Sequence, residues 1–317
     1  MVTEFDIIRD YFFPLGPQNF PVSHPHWQLI VGNGDDCAVI QTECPLVFSI
    51  DTQVDQVHFL NSMHPSHIAY RGLAAALSDL AAMGAEPVFY TLALTLTGQE
   101  SAAWIQDYVS GLHTLSSQLN CPLVGGDTTQ GSCLVQTFQV HGVIPEGAPI
   151  TRQGARPGDK VWVTGTLGDA AAGLDFLTKT PANDSQSQLL DRYHRPTPRI
   201  QWGQAMRPLA TAGIDISDGL VADLGHICER SRVGAQIHCE RLPLSKALRE
   251  YAQEPWRLGL TGGDDYELCI CLPPELDVTP FPFLTEVGEI VTGRGVSVVH
   301  KGQEVTLNSQ GFDHFAQ

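Results

Sequence analysis

Acidic residues flanked by glycines recur along this chain, and each group reads as standing at the end of an apolar strand. The segments are Gly34-Asp35-Asp36, Gly125-Gly126-Asp127-Thr128-Thr129, Asp215-Ile216-Ser217-Asp218-Gly219 and Gly262-Gly263-Asp264-Asp265-Tyr266-Glu267. Asp51 and Asp79 add single acids next to apolar residues. Such carboxylates suit Mg²⁺, a hard cation that takes oxygen ligands and bridges a few carboxylates to substrate phosphates. Adjacent glycines let the backbone approach a phosphate closely and adopt positive φ. Carboxylates from several segments could hold more than one Mg²⁺ on a polyphosphate. Phosphoryl transfer asks the protein mainly to position groups and offset charge. Taken singly, each Gly-Asp pair also reads as a turn, and Ser217 or Asp218 as the cap of a following helix. Their repetition beside apolar segments is what favours chemistry.

Charge sharpens that reading. Among 317 residues, 35 are acidic and 18 basic, a net charge of -17. This argues against a nucleic-acid partner. A phosphate site in so acidic a chain calls for bound cations. No Walker A sequence and no protein-kinase signature occurs. Gly165-Thr166-Leu167-Gly168 could offer backbone amides to a phosphate or form a plain tight turn. Arg152 could meet phosphate as a planar fork or be a surface arginine. No His-x-x-x-His, His-Glu-x-x-His or Gly-x-Ser-x-Gly spacing occurs, and His58, close after Asp51 and Asp55, is the one histidine that stands out. Eight scattered cysteines, none in a CxxC pair, read as reduced and mostly buried thiols. An acidic start without an apolar run predicts a cytosolic protein with no membrane span.

The elements that would position these acids alternate between strand and helix. Periodicity predicts an amphipathic helix over 4–13, a loop over 14–31 and a buried strand over 46–51 that ends on Asp51. A helix over 66–84 has an apolar face (Ile68, Leu73, Leu77, Leu80) and a side of small residues near Asp79, and stops at Gly84. Strands are predicted at 88–97, 133–144, 160–164, 267–272 and 295–301, a short strand or turn at 214–217, and helices at 101–119, from Asp169, and at 219–230. The polar, Pro-containing stretch 180–198 reads as a loop. The class is mixed α/β (α+β). Turn formers at 145–149 mark a boundary between a domain of residues 1–148 and one of 149–317.

These motifs, with Leu77-Ser78-Asp79-Leu80-Ala81-Ala82-Met83-Gly84-Ala85-Glu86-Pro87 and the closing Gly311-Phe312-Asp313-His314-Phe315, resemble in order those of the thiamine-monophosphate kinase family. That family lies in the aminoimidazole-ribonucleotide synthetase superfamily. The resemblance implies a two-domain PurM-like fold: an N-terminal ATP/Mg-binding domain that lends strands to a dimeric β-barrel, and a C-terminal α/β domain that completes the nucleotide and substrate cleft. It implies direct transfer of the ATP γ-phosphoryl group to thiamine monophosphate, several Mg²⁺ ions, ATP as co-substrate, a homodimer, and no covalent nucleophile. By this resemblance Asp36, Ser49, Asp51, Asp79, Asp127, Asp215 and Asp218 are the metal ligands, Ser49 through a backbone or hydroxyl oxygen. Gly126, Asp127, Arg152 and Ser217 touch ATP. His58, Asp264, Ser309 and Phe312 lie at the thiamine-phosphate side. The chain departs from the family in carrying Asp264 where glutamate is frequent, Ile50 where threonine is common, and Ser309 where some members place a tryptophan. Other readings are a further ATP-dependent enzyme of the superfamily, a metal-dependent phosphatase, and a nucleotide-binding relative without turnover. A selenophosphate synthetase would want a reactive cysteine near a lysine within residues 10–34, and none stands there.

Overall fold

In the computed structural model, which describes residues 4–16, 25–31 and 37–307, the chain divides into two compact units. The first comprises Met1–Leu80 and Ala85–Gly147, and the second Ala81–Gly84 and Ala148–Gln317. No described helix is long and apolar enough to cross a membrane.

The first unit opens with α1 (Glu4–Ile7), which runs on through helical turns to Leu15. A two-stranded antiparallel ribbon follows, β1 (Trp27–Val31) with β2 (Val39–Thr42). The main sheet holds β3 (Leu46–Val54), β4 (Glu86–Leu96), β5 (Leu123–Gln130) and β6 (Val135–Val143) in the order β3-β6-β4-β5. Only β4 and β5 run parallel, and the helix α3 (Ala102–Leu119) is the crossover between them. The other helix, α2 (Pro65–Ala82), is buried along nearly its whole length. Its small side has a steric cause. A Cβ at Gly72 would lie 2.3 Å from the Gln136 amide nitrogen and 2.6 Å from the Phe138 ring of β6. Gln136 satisfies itself in that crowded layer by donating to Gln53 and to the Ile68 carbonyl, and by accepting from the Tyr108 hydroxyl.

The second unit is built on a seven-stranded sheet. Its strands are β7 (Lys160–Thr164), β8 (Ala212–Ile216), β9 (Gly234–His238), β10 (Glu267–Leu272), β11 (Leu284–Val291), β12 (Gly295–His300) and β13 (Gln303–Glu304). They order as β13-β12-β9-β11-β7-β10-β8. Every residue of β10 is buried, as expected for a central strand read as a continuous apolar run. Helices α4 (Asp169–Gly173), α5 (Asp184–His194), α6 (Ile200–Met206), α7 (Leu220–Ser231), α8 (Lys246–Tyr251) and α9 (Pro255–Thr261) complete the unit. The core joins Val161, Val163, Ile214, Ile216, Leu224 and Ile227. Each such aliphatic side chain contributes about 1.5–3 kcal/mol on burial.

Three expectations need correction. The stretch 180–198 is not a loop, because α5 spans most of it. Asn183 caps that helix by accepting from the Gln186 N–H, and Leu189 and Tyr193, four residues apart, form its thin buried stripe. Residues 14–31 are not wholly loop either. Trp27, Leu29 and Val31 alternate inward along β1, and Trp27 packs near Phe89. Neither Asp127 nor Asp51 ends a strand: Asp127 lies within β5, and β3 continues past Asp51 to Val54.

Candidate active site

In the first unit the acids sit on regular elements. Ser49 and Asp51 are two apart on β3 and so share its inner face, where Gln53 is buried. Asp79 is half-buried on α2, and the Ser49 hydroxyl donates to its Oδ2 at 2.5 Å. Helix and strand thus bring two of the expected metal residues together, with Asp51 on the same strand face. Asp127 is exposed on β5, opposite Ala93 of β4. Its neighbour Gly126 has a structural reason to lack a side chain, because a Cβ there would lie 2.0 Å from the Leu92 carbonyl oxygen. His58 lies in the turn after β3, and its Nδ1 accepts from the Val54 N–H at 3.0 Å. The neutral ring therefore carries its proton on Nε2.

In the second unit the acids sit on turns. Asp215 is the last but one residue of β8 and is buried, while Ser217 and Asp218 follow half-buried before α7. Neither Ser217 nor Asp218 caps that helix. Gly219 stands at the cap position with φ of 116° and offers no side chain. Asp223, one turn inside α7 and 2% exposed, takes the N–H groups of Ser217, Asp218 and Gly219 on its Oδ2 at 3.0, 3.0 and 3.1 Å. Burial, and then the charges of Asp215 and Asp218, push its carboxyl up to about 8 against those hydrogen bonds.

Asp264 and Tyr266 both have positive φ, 71° and 51°. That conformation is unfavourable for an aromatic residue and marks stored strain at a loop of interest. Their N–H groups hold the Ser217 and Ile216 carbonyls, each at 2.8 Å, and the Tyr266 hydroxyl donates to Asp264 Oδ1 at 3.2 Å. The rest of the segment is anchored from below. Asp265 Oδ2 accepts from the Gly168 N–H at 2.7 Å, and burial raises its carboxyl well above the usual range. That amide is taken up within the protein, as is the Leu167 N–H by the Pro243 carbonyl at 3.0 Å, which favours the tight-turn reading of Gly165–Gly168. Glu267, fully buried, accepts from Arg192 at 2.9 Å, from Arg199 at 2.6 and 2.5 Å, and from the Thr164 hydroxyl at 2.6 Å. Arg152 is exposed, and its carbonyl accepts from the Ser231 hydroxyl at 3.0 Å.

Asp36, Ser309 and Phe312 lie outside the described residues. Among the described residues, no three His, Cys, Asp or Glu side chains are grouped to hold a metal ion. What the described residues do offer is hard oxygen donors suited to Mg²⁺: Ser49, Asp51 and Asp79 in one unit, and Asp215 and Asp218 in the other. Asp223, Arg192 and Arg199 are supporting residues that sequence reasoning passed over, and Asp265, inside an acidic segment it did single out, supports rather than lines the site. Asp223 alone had a visible signal, an acid four residues past Gly219 in an otherwise apolar helix start.

Comparison with known proteins identifies the family. Residues 34–144 match the AIR synthase related protein N-terminal domain, and residues 156–301 the corresponding C-terminal domain. The thiamine-monophosphate kinase of Escherichia coli K12 is 42% identical over 330 residues, covering 99% of this chain and 98% of the relative. The crystal structure of thiamine-monophosphate kinase from Stenotrophomonas maltophilia K279a superposes with a TM-score of 0.84 at 36% identity, over 96% of this chain and 98% of that one. An AaThiL complex with AMPPCP and TMP superposes with a TM-score of 0.79 at 30% identity, over 99% of this chain and 97% of that one. With the acidic motifs in place and the likeness running the full length of both chains, this protein belongs to the thiamine-monophosphate kinase family.

Proposed function

We infer that the chain is a thiamine-monophosphate kinase, which converts ATP and thiamine monophosphate to ADP and thiamine diphosphate. The observation that carries this is the full-length likeness to kinases of that name, with the acid-bearing segments present in order. A phosphate oxygen of thiamine monophosphate attacks the γ-phosphorus. The bond from that phosphorus to the oxygen of ADP breaks, and a new anhydride bond forms. The attacking phosphate is already ionised near pH 7, so the step needs no protein base and no covalent nucleophile.

Asp36, Ser49, Asp51, Asp79 and Asp127 of the first unit, and Asp215 and Asp218 of the second, would hold Mg²⁺. Bound Mg²⁺ supplies the positive charge that a chain of net charge -17 lacks beside a polyphosphate. Gly126, Arg152 and Ser217 would contact ATP. His58, Asp264, Ser309 and Phe312 would lie toward thiamine monophosphate. On this reading residues 1–148 form the Mg- and ATP-binding and dimerisation domain, and residues 149–317 the second domain. Free thiols at all eight cysteines, Cys121, Cys228, Cys239, Cys269 and Cys271 among them buried, accord with a cytosolic enzyme.

A homodimer is part of this reading. Leu46, Phe48 and Ile50 form an apolar row on the outer face of β3, with Phe48 64% and Ile50 66% exposed. In the first unit's main sheet β3 is an edge strand. An uncovered apolar face on an edge strand is what a second copy would cover in a shared barrel. Light scattering on the purified protein should give twice the chain mass, and Phe48→Glu should shift it to the monomer. A monomeric wild type would refute the dimer.

The decisive assay supplies ATP, Mg²⁺ and thiamine monophosphate and follows both products. ADP and thiamine diphosphate should form in equal amounts and only together. ADP without thiamine diphosphate, or neither product, would overturn the assignment.

A further inference from the structure

We propose that Asp223 is a positioning residue: its carboxylate fills the cluster of backbone N–H groups that opens α7, and so presets the turn bearing Asp215, Ser217 and Asp218 before any cation or nucleotide binds. The proposal rests on the reading of that turn as a Mg²⁺ and ATP site.

Three successive N–H groups, from Ser217, Asp218 and Gly219, converge on one oxygen, Asp223 Oδ2, at 3.0–3.1 Å. Convergent amides at the start of a helix are the arrangement with which proteins commonly bind phosphate. Here the chain fills the arrangement with its own side chain, which is 2% exposed. A nucleotide phosphate therefore finds these three amides already occupied. Cations held by the acids on the turn can meet it instead.

The opposite edge of the turn is closed as well. The carbonyls of Ser217 and Ile216 accept from the N–H groups of Asp264 and Tyr266 at 2.8 Å. Donors on one side and acceptors on the other are thus satisfied internally, which leaves the backbone of the turn little freedom. Because the cap comes from inside the helix, neither the Ser217 hydroxyl nor the Asp218 carboxylate has to serve as one. Position, not charge, is the role of Asp223. All three donors share a single oxygen, and an amide oxygen can take its place.

The experiment compares wild type, Asp223→Asn and Asp223→Ala by calorimetric Mn²⁺ titration in the presence of a non-hydrolysable ATP analogue, by the Mg²⁺ dependence of kcat, and by thermal melting. Asp223→Ala should weaken Mn²⁺ binding and raise the Mg²⁺ needed for half-maximal rate by about 10–100-fold, the usual effect of losing a partner that orients a metal ligand. Asp223→Asn keeps the shared oxygen and should stay within about threefold of wild type. If Asn fails as badly as Ala, the charge is what matters and the proposal is wrong. If Ala equals wild type, the turn needs no such anchor and the proposal is equally wrong. Should Ala not fold, amide hydrogen exchange over residues 216–220 of metal-free wild type decides. Slow exchange is expected, and exchange as fast as in an exposed loop overturns the idea. A wild type that binds Mn²⁺ but makes no thiamine diphosphate sinks the kinase reading alone, and the variants still decide on Asp223. A wild type that binds no Mn²⁺ beside the ATP analogue sinks the positioning proposal too.

Discussion

The two units hold their acids in different ways. In the first, Ser49 and Asp51 belong to a strand, Asp79 to a buried helix and Asp127 to the interior of another strand. Sheet register and helix packing place these side chains, and one hydrogen bond from Ser49 to Asp79 ties two of them together. In the second, Asp215, Asp218 and Asp264 stand at or beside turns, and behind the turns lies a tier of buried carboxyl groups: Asp223, Asp265 and Glu267. An acid on a regular element inherits its position from the ladder of backbone bonds. An acid on a turn needs a dedicated anchor, and in this protein the anchor is itself acidic.

The comparison can be broken most severely at Glu267. Glu267→Ala would leave Arg192 and Arg199, whose side chains are each 17% exposed, without their shared carboxylate. Removing one partner of a buried ion pair costs about 3–5 kcal/mol. Urea unfolding should show a loss of that size, and a loss below about 1 kcal/mol would mean the second unit does not depend on this anchor. Asp127→Asn in the first unit should behave in the opposite way. The side chain is exposed, so melting should stay within about 2 °C of wild type. Turnover should nevertheless fall by about 100-fold or more through loss of a metal ligand. Unchanged kcat would remove Asp127 from the site.

A milder effect is expected from Ser49→Ala, which deletes the hydroxyl that holds Asp79 Oδ2. The Mg²⁺ requirement should rise by about tenfold with kcat at saturation little changed. No change would mean that the helix alone aims Asp79. The smallest effect should be seen with Asp265→Asn. Burial raises the folded-state pKa of Asp265 above its unfolded value. Stability contributed by the protonated form is therefore full below the usual carboxyl range and drains as pH climbs from there toward the raised value. An asparagine can still accept the Gly168 N–H but carries no titrating proton. Melts at pH 5 and pH 8.5 should show the variant gaining on wild type as pH rises. A pH-independent difference would refute the linkage.

Much of this was readable in the sequence where apolar periodicity and chemistry coincide. The strand over 46–51, the helix holding Asp79 and the turn at 215–219 all announce themselves through runs of apolar residues that end on or enclose an acid. The anchors were less visible. Arg192 sits on a helix whose apolar stripe is only Leu189 and Tyr193, too thin to outweigh the polar, Pro-containing surroundings. Asp223 left a trace as an acid in an apolar helix start, but an acid there reads as a solvated position until tertiary burial is known. The reason for Gly126, the close approach of the Leu92 carbonyl, depends on strand pairing, which sequence alone does not supply. Acids that touch solvent at the end of an element leave a local trace, whereas the groups that restrain them act across distances of many residues, as Glu267 and Arg192 do.

β3 carries two messages on alternate residues, with Ser49, Asp51 and Gln53 facing in and Leu46, Phe48 and Ile50 facing out. Their separation rests on a side-chain period of two. Replacing a residue of one parity edits one message and leaves the other legible. Inserting or deleting a single residue within the strand would exchange them, sending the carboxylate outward and the phenylalanine toward the helix. In a lineage of such proteins, this strand should therefore trade one apolar residue for another at its outer positions while its length never changes.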